Sequence, residues 1–335
     1  MPADGPLIPR EPLMDRVLTG DRPTGPLHLG HYFGTLRNRV RLQEQGAALT
    51  LVIADYQVLT DRSDHVGAHV DELVLDYLAA GIDPDLTTIF THSAVPALNQ
   101  LLLPFLSLVS VSELERNPTV KDEIVHSRRS SVSGLMFTYP VHQAADILFG
   151  KATLVPVGQD QLPHLELTRT IARRFAERYG PLFPPPEALL SEAPLLLGTD
   201  GGKMSKSRGN AIALGATADE TARLIRGAKT DAERCITYDP AGRPEVSNLV
   251  LIAALCLGQD PHAVAASVGG AGAAGLKKMV TDAVNDYFAP LRARRAVLAA
   301  DLGAVRAVVR EGNVRANEVA SATLAEVRTA MGMSY

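Results

Sequence analysis

The sequence predicts an α/β chain: a Rossmann-like, doubly wound parallel sheet followed by a helical C-terminal domain. Two observations carry that prediction. Short apolar runs alternate with amphipathic helical stretches through the first half, as in a βα repeat. After Asn210 the strand signals fade and only helical periodicity remains. A chain of 335 residues suits one large domain or two ordinary ones. Its 46% hydrophobic and 21% charged content supports a sizeable core and excludes global disorder.

The elements follow in order. Residues 1–14 carry Pro2, Pro6, Pro9 and Pro12 and lack an apolar core, so they read as a flexible lead rather than a signal peptide. Residues 17–19 form a short strand that ends in a turn, Gly20 to Gly25. A helical stretch runs from 28 to 45. Residues 49–54 are continuously apolar, as a buried parallel strand requires. Residues 66–80 are an amphipathic helix that ends at Gly81, with Pro84 beyond. A third strand covers 88–91, and helices follow over 96–109 and 134–148. A fourth strand covers 154–157, and a long helix spans 160–179. The prolines of 181–186 break the chain, and Leu195-Leu196-Leu197 are expected to return it to the sheet. Thr217, with Glu220 three residues on, reads as a capping box. Further helices are expected over 246–257, 275–288 and 293–309, with the Gly/Ala-rich run 265–275 as a loop.

Charge and cysteine content exclude several classes. The net charge of −4 argues against a general nucleic-acid coat. The acidic excess lies in the first 199 residues, however, and the remainder is basic, which reads either as ordinary surface variation or as a C-terminal half that faces a polyanion. Cys235 and Cys256 form no Cys-x-x-Cys pair, which disfavours a disulfide scaffold or cysteine zinc site and fits a reducing cytosol. No apolar run reaches membrane-spanning length.

Two motifs carry chemistry. Lys203-Met204-Ser205-Lys206-Ser207 lies between Gly198, Gly201 and Gly202 on one side and Gly209-Asn210 on the other. Ammonium groups and hydroxyls on such a loop can grip a polyphosphate. A P-loop is excluded, because Leu197 and Met204 stand where Gly and Ser or Thr are needed. Upstream, His28-Leu29-Gly30-His31 stands where the first strand hands over to the first helix, the usual ligand edge of a doubly wound sheet. An i, i+3 pair puts both imidazoles on one face. Gly30 leaves room for a flat ring, and helix N–H groups favour phosphate. Alone, the two histidines read equally well as surface residues or half of a metal site.

In this order the two strings resemble the HIGH and KMSKS motifs of the class I aminoacyl-tRNA synthetases. His28-Leu29-Gly30-His31 departs only at Leu29, and Lys203 to Ser207 match throughout. The layout is similar to the tyrosyl/tryptophanyl subgroup. The strings Ala144-Ala145-Asp146-Ile147-Leu148 and Val155 to Gln161 resemble its tryptophanyl branch, as do Gly20 to Gly25, Glu113 to Arg116 and Glu166 to Arg169. The resemblance runs from about residue 16 to the C-terminus.

The resemblance implies a catalytic domain with dimer-interface helices over 15–199, a KMSKS loop over 200–210 and a helical anticodon-binding domain over 211–335. It implies ATP-dependent activation of L-tryptophan and transfer to the 3′ adenosine of tRNA(Trp), in a cytoplasmic homodimer. Magnesium would come with ATP, without dedicated protein ligands. The catalytic residues would be His28, His31, Lys203 and Lys206. ATP would also meet Arg22, Thr24, Gly30, Gly158 and Asp160, and the loop residues Met204, Ser205 and Ser207. Tryptophan would meet Leu18, Gln57, Tyr139 and Gln143 from one side, and Val155, Val157, Gly158 and Gln161 from the other. Asp146, ionised and acceptor-only, suits the indole N–H, a donor without acceptor capacity. Arg292, Arg294 and Arg295 are candidate phosphate contacts for tRNA. Arg22, Tyr56-Gln57, Gln143 and the full His28/His31 motif depart from the usual tryptophanyl pattern, as a divergent second copy would. The alternatives are tyrosine as substrate, or a paralogue that no longer aminoacylates and binds RNA or protein.

Overall fold

The computed structural model describes residues 15–60, 65–121, 132–190 and 195–335. The proline-rich lead lies outside them. The first half contains strand β1 (Arg16–Asp21), helices α1 (Leu29–His31) and α2 (Arg37–Glu44), strand β2 (Ala48–Ile53), helix α3 (Val66–Ala80) and strand β3 (Thr87–Thr91). Then come α4 (Pro96–Gln100), α5 (Leu102–Leu106), α6 (Val111–Arg116), α7 (Gly134–Phe149), β4 (Leu154–Val157), α8 (Leu162–Tyr179) and β5 (Glu187–Leu190). The rest is helical: α9 (Ala218–Arg226), α10 (Pro244–Leu257), α11 (Pro261–Val268), α12 (Gly272–Ala299) and α13 (Leu302–Ala330).

The five strands are parallel, in the order β3-β2-β1-β4-β5. Leu49 pairs with Val17 on one side and Thr87 on the other. Alternate side chains point to opposite faces. Leu49, Leu51, Ile53 and Ile89 join one core with residues of α3 and α12. Leu18, Val52, Phe90 and Val155 join a second with α7, α8 and α13. The sheet is therefore covered on both faces, which explains its apolar strands. The chain crosses from β3 to the far side of β1 to make β4, so the topological switch point lies between β1 and β4, where such sheets bind ligands.

Several expectations need correction. The fifth strand is Glu187–Leu190, paired with β4, not residues 195–197. Leu197 instead bridges Lys203 and frames the glycine-rich loop. The helix expected over 28–45 contains a π-helical turn, Tyr32–Leu36, between α1 and α2. Residues 265–275 are mainly helical. The helices expected over 275–288 and 293–309 are parts of two much longer ones, α12 and α13. Pro290 does not break α12. Leu276, Val280, Val284, Phe288 and Leu291 bury one face of it, and that burial offsets the roughly 3 kcal/mol cost of an interior proline.

Helix α13 returns to the sheet. At Gly312 it crosses β3 so closely that a Cβ would sit 1.8 Å from the Ile89 carbonyl oxygen. Ala316 and Ala320 continue this buried small-residue face. Asn313 Oδ1 accepts from the Thr91 N–H at 2.9 Å, and Thr323 Oγ1 donates to the Phe149 carbonyl at 2.7 Å.

Candidate active site

A cavity of about 320 Å³ opens at the switch point. β1 contributes Leu18, β4 contributes Val155 and Val157, and α7 contributes Tyr139, Gln143 and Asp146 at i, i+4 and i+7 on one face. Gln57, Gly158 and Gln161 complete it. The structure thus gathers into one cavity every residue expected to meet the amino acid. Asp146 lies 5% exposed on this wall.

Arg22 also lines the cavity and leads into the turn that carries Thr24 and Gly25. Beyond the turn, residues 27–29 pair with 212–214: the Leu29 N–H donates to the Ile212 carbonyl at 3.0 Å, and the Leu214 N–H to the Leu27 carbonyl at 2.9 Å. This pairing holds the two motifs together. The His28 and His31 rings lie 3.8 Å apart, centre to centre. The His28 backbone N–H donates to His31 Nδ1 at 3.3 Å, which leaves the proton of neutral His31 on Nε2. Burial pushes the His28 pKa down to about 3, reinforced by the charges of His31 and Lys206. Burial likewise lowers His31 to about 4, against the opposing pull of Asp21. Both rings are therefore neutral hydrogen-bonding groups near pH 7. The space above Gly30 is bounded by the His28 ring and the Met204 sulfur.

The lysine loop is built around Asn210. Its side chain donates to Asp200 Oδ1 at 2.7 Å and to the Lys203 carbonyl at 3.1 Å, and accepts from the Ser205 N–H at 2.8 Å. Met204 is buried as an anchor, while Lys203 is exposed. Lys206 Nζ donates to the Gly25 carbonyl at 2.6 Å and lies 3.5 Å from Thr24 Oγ1. The second motif thus touches the first loop directly. Burial lowers the Lys206 pKa, which marks an incompletely solvated ammonium. The side chains of Asp160 and Ser207 lie outside the described residues.

Several residues escaped the sequence reading. Asp21, at the end of β1, accepts from Arg39 Nη1 at 2.5 Å and Tyr77 OH at 2.6 Å. Burial raises its pKa, but the Arg39 charge and hydrogen bonds win and hold it well below the carboxylate range. His92 and His142 stand behind Asp146, His92 Nε2 being 2.8 Å from Asp146 Oδ1. The position of His92 just after β3, at the ligand edge of the sheet, was the signal available.

The three arginines proposed for tRNA are engaged within the protein, which withdraws support for that role. Arg292 donates to Asn285 and Thr221, and Arg294 to the Ala79 carbonyl. Arg295 pairs with Asp76 and Glu72. Arg292 and Arg295 are half-buried because α12 packs against α3 and α9, which helical periodicity alone does not reveal, while Arg294 stays exposed.

Residues 14–289 match the family model of class I tRNA synthetases (W and Y). The chain is 42% identical over 333 residues to the tryptophan–tRNA ligase of Clostridium longisporum, covering 95% of this chain and 97% of that one. It is also 42% identical over 332 residues to that of Treponema pallidum, covering 96% and 98%. The crystal structure of tryptophanyl-tRNA synthetase from Campylobacter jejuni, complexed with ADP and tryptophan, superposes with a TM-score of 0.82 at 29% identity, covering 95% of this chain and 99% of that one.

Proposed function

We propose that this chain, which belongs to the class I tRNA synthetases (W and Y), activates L-tryptophan with ATP and transfers it to tRNA(Trp). The tryptophan carboxylate attacks the α-phosphate of ATP, forming tryptophanyl-adenylate and releasing pyrophosphate. A ribose hydroxyl of the tRNA 3′ adenosine then takes the acyl group from the mixed anhydride, releasing AMP. No side-chain nucleophile is needed, and the protein contributes positioning and charge stabilisation.

One juxtaposition carries the reading. Arg22, which lines the cavity that holds Asp146, leads along the chain into the turn on which Lys206 rests. An amino acid in the cavity would direct its carboxylate toward phosphates gripped by His28, His31, Lys203 and Lys206. The neutral imidazoles would donate hydrogen bonds and the lysines would supply charge. Magnesium would be carried by the phosphates, because the one described carboxylate of this loop, Asp200, accepts hydrogen bonds from Asn210 and Gly202 within the loop itself. Asp21, the nearby carboxylate, is committed to Arg39 and Tyr77.

A homodimer is part of the proposal, supported by the exposed apolar Leu103, Val111 and Val132. So is a cytoplasmic location; no single described helix is long and apolar enough to cross a membrane. The helical half is proposed to receive the tRNA anticodon. ATP–pyrophosphate exchange with each of the twenty amino acids tests the activity, and exchange driven best by tyrosine would overturn the substrate assignment.

A further inference from the structure

We propose that His92 is a positioning residue for amino-acid recognition. Its imidazole holds one oxygen of Asp146, so that the carboxylate keeps its orientation and offers its other oxygen to an N–H donor in the cavity. The inference rests on the reading of Asp146 as the acceptor of the indole N–H.

His92 is the first residue beyond β3 and is fully buried. Its Nε2 lies 2.8 Å from Asp146 Oδ1, though without the alignment of a good hydrogen bond, and neither atom has a better partner among the described residues. Two lone pairs at that distance would repel, so Nε2 carries a proton. The donor is thus held against the carboxylate.

The neighbouring ring cannot substitute. Asn99 Nδ2 donates to the His92 carbonyl at 2.7 Å and the Val95 carbonyl at 3.0 Å. That turns Asn99 Oδ1 toward His142 Nε2, 2.7 Å away, which must donate. His142 Nδ1 then accepts from Gln57 Nε2 at 2.8 Å. With both nitrogens satisfied and its pKa lowered by burial, His142 is a neutral wall 4.5 Å from the His92 ring, centre to centre. The same bonds disfavour a metal chelate. The ligating atoms of His92, His142 and Asp146 lie within 4.8 Å of one another, but His142 would have to give up a hydrogen bond to bind an ion.

Without His92, a carboxylate this deeply buried is left short of a partner and is free to turn away from the cavity. A carboxylate so turned no longer presents an acceptor that selects an N–H donor.

The test compares tryptophan with β-(benzothiophen-3-yl)alanine, which keeps the shape and lacks the N–H. Wild-type protein should prefer tryptophan in kcat/KM. His92→Leu should raise KM for tryptophan by roughly ten- to a hundredfold and erase that preference, with KM for ATP unchanged. His92→Gln, which retains a side-chain N–H, should restore most of it. Equal losses for both amino acids would mean that His92 only fills space, and would overturn the proposal. So would inhibition of wild type, but not of His92→Leu, by equimolar zinc. Should His92→Leu not fold, ¹⁵N imidazole NMR of the wild type decides: an Nε2–H tautomer perturbed by tryptophan supports the role, and a bare Nε2 ends it. If wild type exchanges with tryptophan but does not distinguish the two amino acids, the Asp146 acceptor reading fails and the proposal with it. No tryptophan exchange at all is the separate failure of the proposed function.

Discussion

Arg295 Nε donates to one oxygen of Asp76 at 2.7 Å, and the backbone N–H of Leu27 donates to the other at 2.7 Å. One fully buried carboxylate therefore ties α12 to the residue just before His28. Burial raises the Asp76 pKa, and the hydrogen bond and charge of Arg295 oppose that rise. The pair lies in a core shared by the sheet and the C-terminal helices, so it stitches the helical half to the nucleotide loop.

Arg295→Ala should consequently act on stability and adenylation before tRNA contact. Removing one partner of a buried pair typically costs about 3–5 kcal/mol. The expected result is a lower denaturation midpoint and slower tryptophan-dependent exchange. Asp76→Asn, which keeps one acceptor, should cost less. A normal midpoint with a flattened salt dependence of tRNA binding would restore Arg295 to the tRNA surface.

Replacing His28 or Lys206 by alanine should lower the adenylation rate by on the order of 10²–10³, with a much smaller change in KM for ATP. Pre-steady-state adenylate formation separates the two. Equal losses in rate and affinity would mean that these groups hold ATP uniformly and favour no transition state.

The two histidines also predict an acid-sensitive fold. Their folded pKa values, about 3 and about 4, lie below the ordinary 6.5. The unfolded chain therefore binds more protons at intermediate pH, and stability must fall as pH drops from about 6.5 toward 4. The limiting slope is about 1.4 kcal/mol per pH unit for each ring. Denaturant midpoints measured across this window should flatten in His28→Asn/His31→Asn. An unchanged slope would assign the acid sensitivity elsewhere.

Gly312→Val should separate α13 from β3, because its Cβ would meet the Ile89 carbonyl. Overpacking of this kind typically costs about 1–3 kcal/mol, and a backbone obstacle cannot rotate away. Thermal unfolding should show the loss, and hydrogen exchange should rise along β3. Unaltered exchange there would mean that the helix accommodates the side chain by sliding.

Much of the site was legible in the chain. The apolar strands, the Thr217–Glu220 cap and the i, i+4, i+7 face of α7 follow from local periodicity, and the two motifs from residue types that suit phosphate. Those are short-range properties, written within a turn or two of backbone. The inward turn of Arg292 and Arg295, the persistence of α12 through Pro290, the commitment of Asp21 to Arg39 and the approach of His92 to Asp146 depend on partners far away in sequence. Burial against those partners outweighs local propensity and decides where a charged side chain points. Only the folded chain brings such partners within a hydrogen bond of one another.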